Sequence, residues 1–320
     1  MEYFILIAGL TLLLAGANFL VDSSVAIAQR ARISNFIIGL TIVGIGTSSP
    51  ELLISATSAV KGAGDMALGN IIGSNICNTL LILGVTAVIL PFSIERSTLR
   101  RDIPMSIFGA ILIFILVYDS MLPRINENIL SRFDGFVLLA VFAIYMYLIT
   151  RGKGAAEKEL EENATSRLQG RSPWILWSVA VISLAALIYG GTLFIDSATA
   201  LARQWGVSDS VISITLLAVG TSLPELITCI VAATKGNAQL ALGNVIGSNI
   251  FNIFMILGVS ALIKPMTISG IGLVDFGMLI VASVLTFLVA FTFGKRRFDR
   301  VEGIIFLALY IGYTTYLILK

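Results

Sequence analysis

Histidine is absent from all 320 residues, and with it go the commonest transition-metal ligand and the usual proton-relay side chain. Charge is scarce too: Asp, Glu, Lys and Arg make up 12% of the chain, against about 25% in soluble domains. The net charge is only +2, and the basic residues are spread between apolar segments rather than gathered in one patch. That argues against a nucleic-acid partner. The two cysteines, Cys77 and Cys229, each stand alone in an apolar run. They are expected to be small packing residues and say little about redox compartment. At the start, Met1-Glu2-Tyr3-Phe4 runs straight into apolar sequence, with no positive region and no small-residue cleavage site. This reads as a first transmembrane helix rather than a cleaved signal.

What is present is apolar. The chain is 57% hydrophobic with a mean hydropathy of +0.96, the composition of an integral membrane protein whose surface mostly faces lipid. A membrane helix takes about 17–25 mostly apolar residues. Candidates fall near 3–21, 33–60, 66–90, 104–119, 133–150, 174–197, 209–234, 240–264, 270–293 and 301–319, about ten helices, five in each half. The one long polar stretch, residues 151–172, reads as a solvated linker between a first half at 1–150 and a second at 173–320. The expected fold is thus all-α and polytopic.

The halves are copies. G-T-S-S-P-E at Gly46–Glu51 returns as G-T-S-L-P-E at Gly220–Glu225, an offset of 174, and G-N-I-I-G-S-N-I-C-N at Gly69–Asn78 returns as G-N-V-I-G-S-N-I-F-N at Gly243–Asn252. With the same offset and no gap, Asp22 meets Asp196, Ser34 meets Ser208, Gly84 meets Gly258 and Pro91 meets Pro265; about 19 of the 35 positions in Gly44–Asn78 are identical. An odd number of spans per copy forces the second to enter the membrane from the opposite side, so inverted repeats are expected, as is common in secondary transporters. With the N-terminus outside, about 15 of the 21 Lys and Arg fall in inner loops, the bias of the positive-inside rule. The linker is then cytoplasmic, and glycosylation of the Asn163-Ala164-Thr165 sequon is not expected there. Trp174 and Trp177 open the sixth helix as interfacial anchors.

A carboxylate inside such a stretch costs at least about 2.5–3.5 kcal/mol on insertion scales and marks function by default. Glu51 and Glu225 are two, at equivalent places. Pro50 and Pro224 lack an N–H, so each breaks its helix and, with the neighbouring glycines, frees backbone carbonyls that are tolerable at that depth only where they line a cavity or meet a ligand. Each motif also carries a Thr-Ser pair: Thr47 and Ser48, Thr221 and Ser222. The donors are all hard oxygens. Calcium takes 6–8 of them and two glutamates match its charge, while sodium would accept the same carbonyls and hydroxyls. No Lys or Arg lies near either glutamate in sequence, so a purely structural pairing has no local partner.

In the second segments, Gly69/Gly73 and Gly243/Gly247 are G-x-x-x-G pairs suited to close helix packing. The interleaved Asn70, Ser74, Asn75 and Asn78, matched by Asn244, Ser248, Asn249 and Asn252, put several oxygen donors on one face. A mixed role is expected, with Ser74, Asn78, Ser248 and Asn252 toward a cavity. Asp22 and Asp196 are expected to meet neighbouring helix ends or solvent, with a part in gating left open.

At these two motif pairs the sequence resembles the calcium/cation antiporter superfamily, and most closely its prokaryotic sodium/calcium exchangers, whose α-repeats the pairs match; the likeness covers nearly the whole chain. The resemblance implies that Glu51 and Glu225 form the central calcium site with the carbonyls of Thr47 and Thr221. It implies sodium sites drawing on the two glutamates, the hydroxyls of Ser48, Ser222, Ser74 and Ser248, and the carbonyls of Gly44 and Ala218, with Asn78 and Asn252 as central polar positions. It further implies exchange of roughly three sodium ions for one calcium, by sliding of the first helix of each repeat across a bundle formed by the others. Some members, including those that also carry potassium, have aspartate where this chain has Asn252. Two amides here leave two carboxylates, which argues against potassium dependence. The short linker lacks the large calcium-binding regulatory region of animal relatives.

The implied partners are calcium, sodium and the bilayer of the cell membrane. No resident cofactor, nucleic acid or obligatory protein partner is expected. A calcium/proton antiporter is the alternative within transport, since the glutamates could bind protons themselves. A cation channel would be expected to show pore rings within an oligomer instead, and an enzyme would need a nucleophile–base pair that the sequence does not offer.

Overall fold

The computed structural model describes residues 2–118, 128–151, 166–206, 220–292 and 296–319. Its helices are α1 (Glu2–Ala31), α2 (Asn35–Thr47), α3 (Ser49–Lys61), α4 (Gly64–Ile89), α5 (Ile103–Val117), α6 (Arg132–Arg151), α7 (Pro173–Gln204), α8 (Leu223–Thr234), α9 (Ala238–Ile263), α10 (Leu273–Val289) and α11 (Arg300–Leu319). Six of the described helices are long and apolar enough to cross a membrane, and a seventh span arises if the bent pair α2–α3 is counted as one. The shorter α5, α8 and α10 are 15, 12 and 17 residues.

The first part of the segment expected over 209–234 lies outside the described residues; elsewhere the differences from the expected segments have local causes. The helix expected over 33–60 is broken at Ser48, where α2 and α3 meet at 46°. Pro50 sits in the first turn of α3, where its missing N–H costs nothing, and Pro224 holds the same place in α8. The helices at 3–21 and 174–197 run on to Ala31 and Gln204, since no glycine or proline stops them. Two short antiparallel ladders interrupt the all-α expectation: β1 (Phe92–Ser93) pairs with β4 (Arg297–Phe298), and β2 (Asn128–Leu130) with β3 (Met266–Ile268). Both tie a segment of one half to a segment of the other.

α1 and α7 pack along their length. A Cβ on Gly16 would lie 2.7 Å from the Leu187 nitrogen, one on Gly9 2.7 Å from that of Phe194, and one on Gly190 2.6 Å from that of Leu13. Only glycine allows this approach. Positions rising along α1 meet positions falling along α7, so the two run antiparallel. At the centre stand α4 and α9, each 78% buried over its most apolar window, against 22–33% for α1, α6, α7 and α11. Each carries a π-helical turn, Cys77–Ile82 and Phe251–Ile256, at equivalent positions. Such turns are rare and frequent at functional sites.

Candidate functional site

Where α2 gives way to α3, α8 faces it and α4 crosses α9, both motif pairs come together. Glu51 and Glu225 lie in the first turns of α3 and α8, just past the breaks, and both are fully buried. Placement near a helix N-terminus sets each carboxylate against the positive end of the helix dipole. No ion pair reaches either glutamate among the described residues, so the buried negative charge is answered by dipoles alone.

Those dipoles cross between the halves. Ser48 donates to Glu225 Oε1 at 3.1 Å, and Ser222 donates to Glu51 Oε1 at 3.5 Å. Ser74 on α4 also donates to Glu51 Oε1, at 3.3 Å, and lies 3.3 Å from the Thr221 hydroxyl. Thr47 and Ser248 face Glu225 as Thr221 faces Glu51. The Ser248 hydroxyl donates to the Gly44 carbonyl at 3.3 Å, and Thr47 donates to Asn244 Oδ1 at 3.2 Å. Each hydroxyl that gives its proton to a neighbour keeps lone pairs on its oxygen for a cation.

The asparagines form the floor. Asn78 Nδ2 donates to Asn249 Oδ1 at 3.2 Å, and Asn252 Nδ2 donates to Asn75 Oδ1 at 2.9 Å. Asn75 and Asn249 are held in turn, Asn75 Nδ2 by the Asn249 carbonyl and Asn249 Nδ2 by Thr79. With the amide nitrogens so engaged, the oxygens of Asn78 and Asn252 are turned away from this network. At this site, as at some other places among the described residues, buried oxygens lack a hydrogen-bond partner, and here they are four: Glu51 Oε2, Glu225 Oε2, Asn78 Oδ1 and Asn252 Oδ1. They occupy two pairs of equivalent positions. Leaving a buried acceptor unpaired costs about 1–3 kcal/mol, more when it is charged, so four in matched positions are expensive unless a ligand meets them. A hard cation is the ligand that such oxygens fit.

A cavity opens on the Glu51 side. A cavity of about 570 Å³ is lined, among the described residues, by α4 from Asp65 to Ser74, by α7 from Ile188 to Asp196, and by Gly220, Thr221, Pro50, Ile54 and Pro224. It reaches Ser74 and Thr221, the polar partners of Glu51. Toward Glu225 the described residues pack closely. In α9, every residue of Ala238–Ile250 except Gln239 is buried, and a Cβ on Gly243 or Gly247 would overlap the carbonyl oxygens of Phe36 or Leu40 on α2.

Of the positions singled out by sequence, Glu51, Glu225, Thr47, Thr221, Ser48, Ser222, Ser74, Ser248, Gly44, Asn78 and Asn252 are brought together here. Ala218 lies outside the described residues. The Gly44 carbonyl accepts from Ser248 and from the Ser48 backbone. Asp22 meets a neighbouring helix end, pairing with Lys235 at 2.7 Å, and Asp196 is exposed on the cavity wall. Cys77 and Cys229 are buried and free, with the Cys229 sulfur accepting from Asn244 at 3.3 Å. Sequence reasoning counted Asn75 and Asn249 among the oxygen donors of one helix face without pairing them, and left Thr79 without a role. For Asn75 and Asn249 the signal was their place in the duplicated segment, whereas Thr79 lies just past it and is matched by Ile253; that these residues bind the facing helix needed the crossing of α4 and α9.

Against known proteins, the family model described as sodium/calcium exchanger protein matches residues 1–151 and 175–319. The chain is 32% identical over 342 residues to the sodium/calcium exchanger MaX1 of Methanosarcina acetivorans, covering 98% of this chain and 97% of that protein. It is 34% identical over 289 residues to the inner membrane protein YrbG of Escherichia coli, covering 88% and 86%. Among solved structures, the sodium-calcium exchanger NCX_Mj, soaked with sodium and strontium, superimposes with a TM-score of 0.80 at 34% identity, covering 98% of both chains.

Proposed function

Since the chain belongs to the sodium/calcium exchanger family, we propose that it is a secondary active antiporter that exchanges about three sodium ions for one calcium by alternating access. The observation that carries this reading is the set of four donorless buried oxygens on Glu51, Glu225, Asn78 and Asn252. In this reading Glu51 and Glu225 hold calcium between them, with the carbonyls of Thr47 and Thr221 completing an oxygen shell. Sodium uses the same glutamates with the hydroxyls of Ser48, Ser222, Ser74 and Ser248 and the carbonyls of Gly44 and Ala218. The membrane arrangement is ten spans in two inverted repeats, N-terminus outside and residues 151–172 in the cytoplasm. The cavity beside Glu51 then opens outward, because Asp65 and Asp196 stand at outer helix ends.

The chemistry is competition for one pair of charges. Either cation set makes the buried carboxylates tolerable, and the empty site is the costly one, so the protein changes sides only when loaded. If both glutamates stay ionised, calcium cancels them while three sodiums leave one positive charge. A cycle then moves about one net charge, worth about 2.3 kcal/mol per 100 mV.

Calcium uptake by purified protein in liposomes tests this under an imposed sodium gradient or an imposed pH gradient. Uptake is expected with sodium inside and absent with a pH gradient alone. Uptake driven by protons and indifferent to sodium would replace this reading with calcium/proton exchange. Downhill flux without a counter-ion would replace it with a channel.

A further inference from the structure

The offset of 174 that pairs the glutamates also pairs Asp22 with Asp196 and Lys61 with Lys235. Both lysines sit at the end of the helix that starts with a site glutamate, and each is followed by a glycine in the left-handed region, Gly62 and Gly236, both at φ +78°. The same two residue types thus recur at opposite ends of the α1–α7 pair, yet the structure treats them differently.

At one end the contact is made. Lys235 Nζ lies 2.7 Å from Asp22 Oδ1 and donates to the Asn18 carbonyl at 2.9 Å, tying the end of α8 to α1. Asp22 is buried, and its carbonyl accepts from Ser166 at 2.7 Å. At the other end Lys61 and Asp196 are both exposed, and neither makes an ion pair with any described residue. The cavity opens at the end where the pair is apart, with Asp196 on its wall. The probes of this asymmetry are another matched pair: Met66 is 63% exposed, and its equivalent Leu240 is 0% exposed.

From this we infer that Asp22–Lys235 and Asp196–Lys61 are two halves of one reciprocal latch that decides which side of the exchanger is open. α1 and α7 are locked together through Gly9, Gly16 and Gly190, so the pair moves as a unit and carries Asp22 at one end and Asp196 at the other. A displacement that pulls Asp22 from Lys235 brings Asp196 toward Lys61, with the Thr192 carbonyl taking the part of Asn18. A mobile pair of helices with a latch at each end cannot close both in one position, nor leave both apart without losing a partly buried ion pair. This discourages leak. The inference rests on the alternating-access part of the proposed function and not on which cations are carried.

The test is thiol labelling in proteoliposomes, in a background carrying Cys77→Ala and Cys229→Ser. Met66→Cys reports the open side and Leu240→Cys the closed side, each with a membrane-impermeant maleimide added to its own face. Asp22→Asn, or Lys235→Met, is expected to slow labelling at position 66 and speed it at position 240 by about fivefold. Asp196→Asn and Lys61→Met should leave position 66 fully reactive and suppress any reactivity at position 240. Exchanging the charges, Asp22→Lys with Lys235→Asp, should restore the original rates, which separates a latch from simple loss of fold. Shifts in the same direction at both positions would overturn the latch, as would no shift. If position 240 responds to calcium and sodium but equally in every variant, the latch falls and alternating access stands. If it never responds, both fall.

Discussion

α4 and α9 share the run G-N-x-I-G-S-N-I-x-N, and each turns π-helical at the same place, yet they live in different surroundings. Along α9 the first two turns are sealed against α2, and Asn244 is bound to Thr47 and Cys229. Along α4 the equivalent stretch borders a cavity, and Asn70 is only half-buried, donating to Ser55 at 3.1 Å. Matched sequences in unmatched environments mean that the difference lies in the arrangement and not in the residues. An arrangement with the environments exchanged would be built from nearly the same contacts. Two states of similar energy are what a ligand can shift between.

The comparison predicts first that the two glutamates are equivalent although their surroundings are not. Glu51→Gln and Glu225→Gln should each lower calcium uptake on the order of 100-fold or more, since each removes half of the charge that a divalent ion meets in a dry site. Neither should lower the melting temperature in detergent, because an unpaired buried charge has been removed as well. Near-normal uptake in either variant would mean that the halves do not share one site.

A smaller effect tests the crossed hydrogen bonds. Ser48→Ala and Ser222→Ala each remove one hydroxyl from the opposite half's glutamate, and each should raise the half-saturating calcium or sodium concentration about tenfold, the size of a bond to a charged group. A change confined to one of them would show that one half holds the ions alone.

Smaller again, and on stability rather than transport affinity, is the glycine comparison. Gly247→Ala forces a methyl group into the Leu40 backbone and should cost about 1–3 kcal/mol in thermal unfolding. Gly73, its equivalent, is partly exposed on the cavity wall. Gly73→Ala should therefore leave the melting temperature unchanged and slow transport by hindering closure of the cavity. Equal destabilisation would remove the asymmetry on which the two-state reading is built.

Much of this site was legible in the sequence because its parts are costly. A carboxylate, a proline and adjacent hydroxyls inside an apolar run are each unfavourable there, and a second copy at a fixed offset makes accident untenable. Helix positions were legible for the same reason that hydropathy works at all: a lipid-facing backbone must bond within its own segment. Three things were not. Lengths beyond the membrane, as in α1 and α7, leave no mark when no breaker intervenes. The crossing of Asn75, Asn78, Asn249 and Asn252 depends on which helices meet, and amide spacing cannot state that. Nor can a repeated sequence say that one copy is buried and the other open, since both copies read alike.

The smallest expected effect lies away from the ions, where each half again repeats itself. Asp102 on the turn into α5 accepts from the Tyr145 hydroxyl of α6 at 2.8 Å, and Asp275 of α10 accepts from Tyr313 of α11 at 2.7 Å. Asp102 is fully buried and shares its charge with Arg101 at 2.6 Å; Asp275 is half-buried and accepts from the Gly272 backbone at 2.9 Å instead. Removing a donor from a fully buried carboxylate costs more than removing one that water can replace. Tyr145→Phe should therefore destabilise by about 1–2 kcal/mol, and Tyr313→Phe by less than about 1 kcal/mol, with calcium uptake unchanged in both. Should Tyr313→Phe prove the more damaging, burial would not be what ranks the two halves here, and the same ranking drawn for α4 and α9 would need another cause.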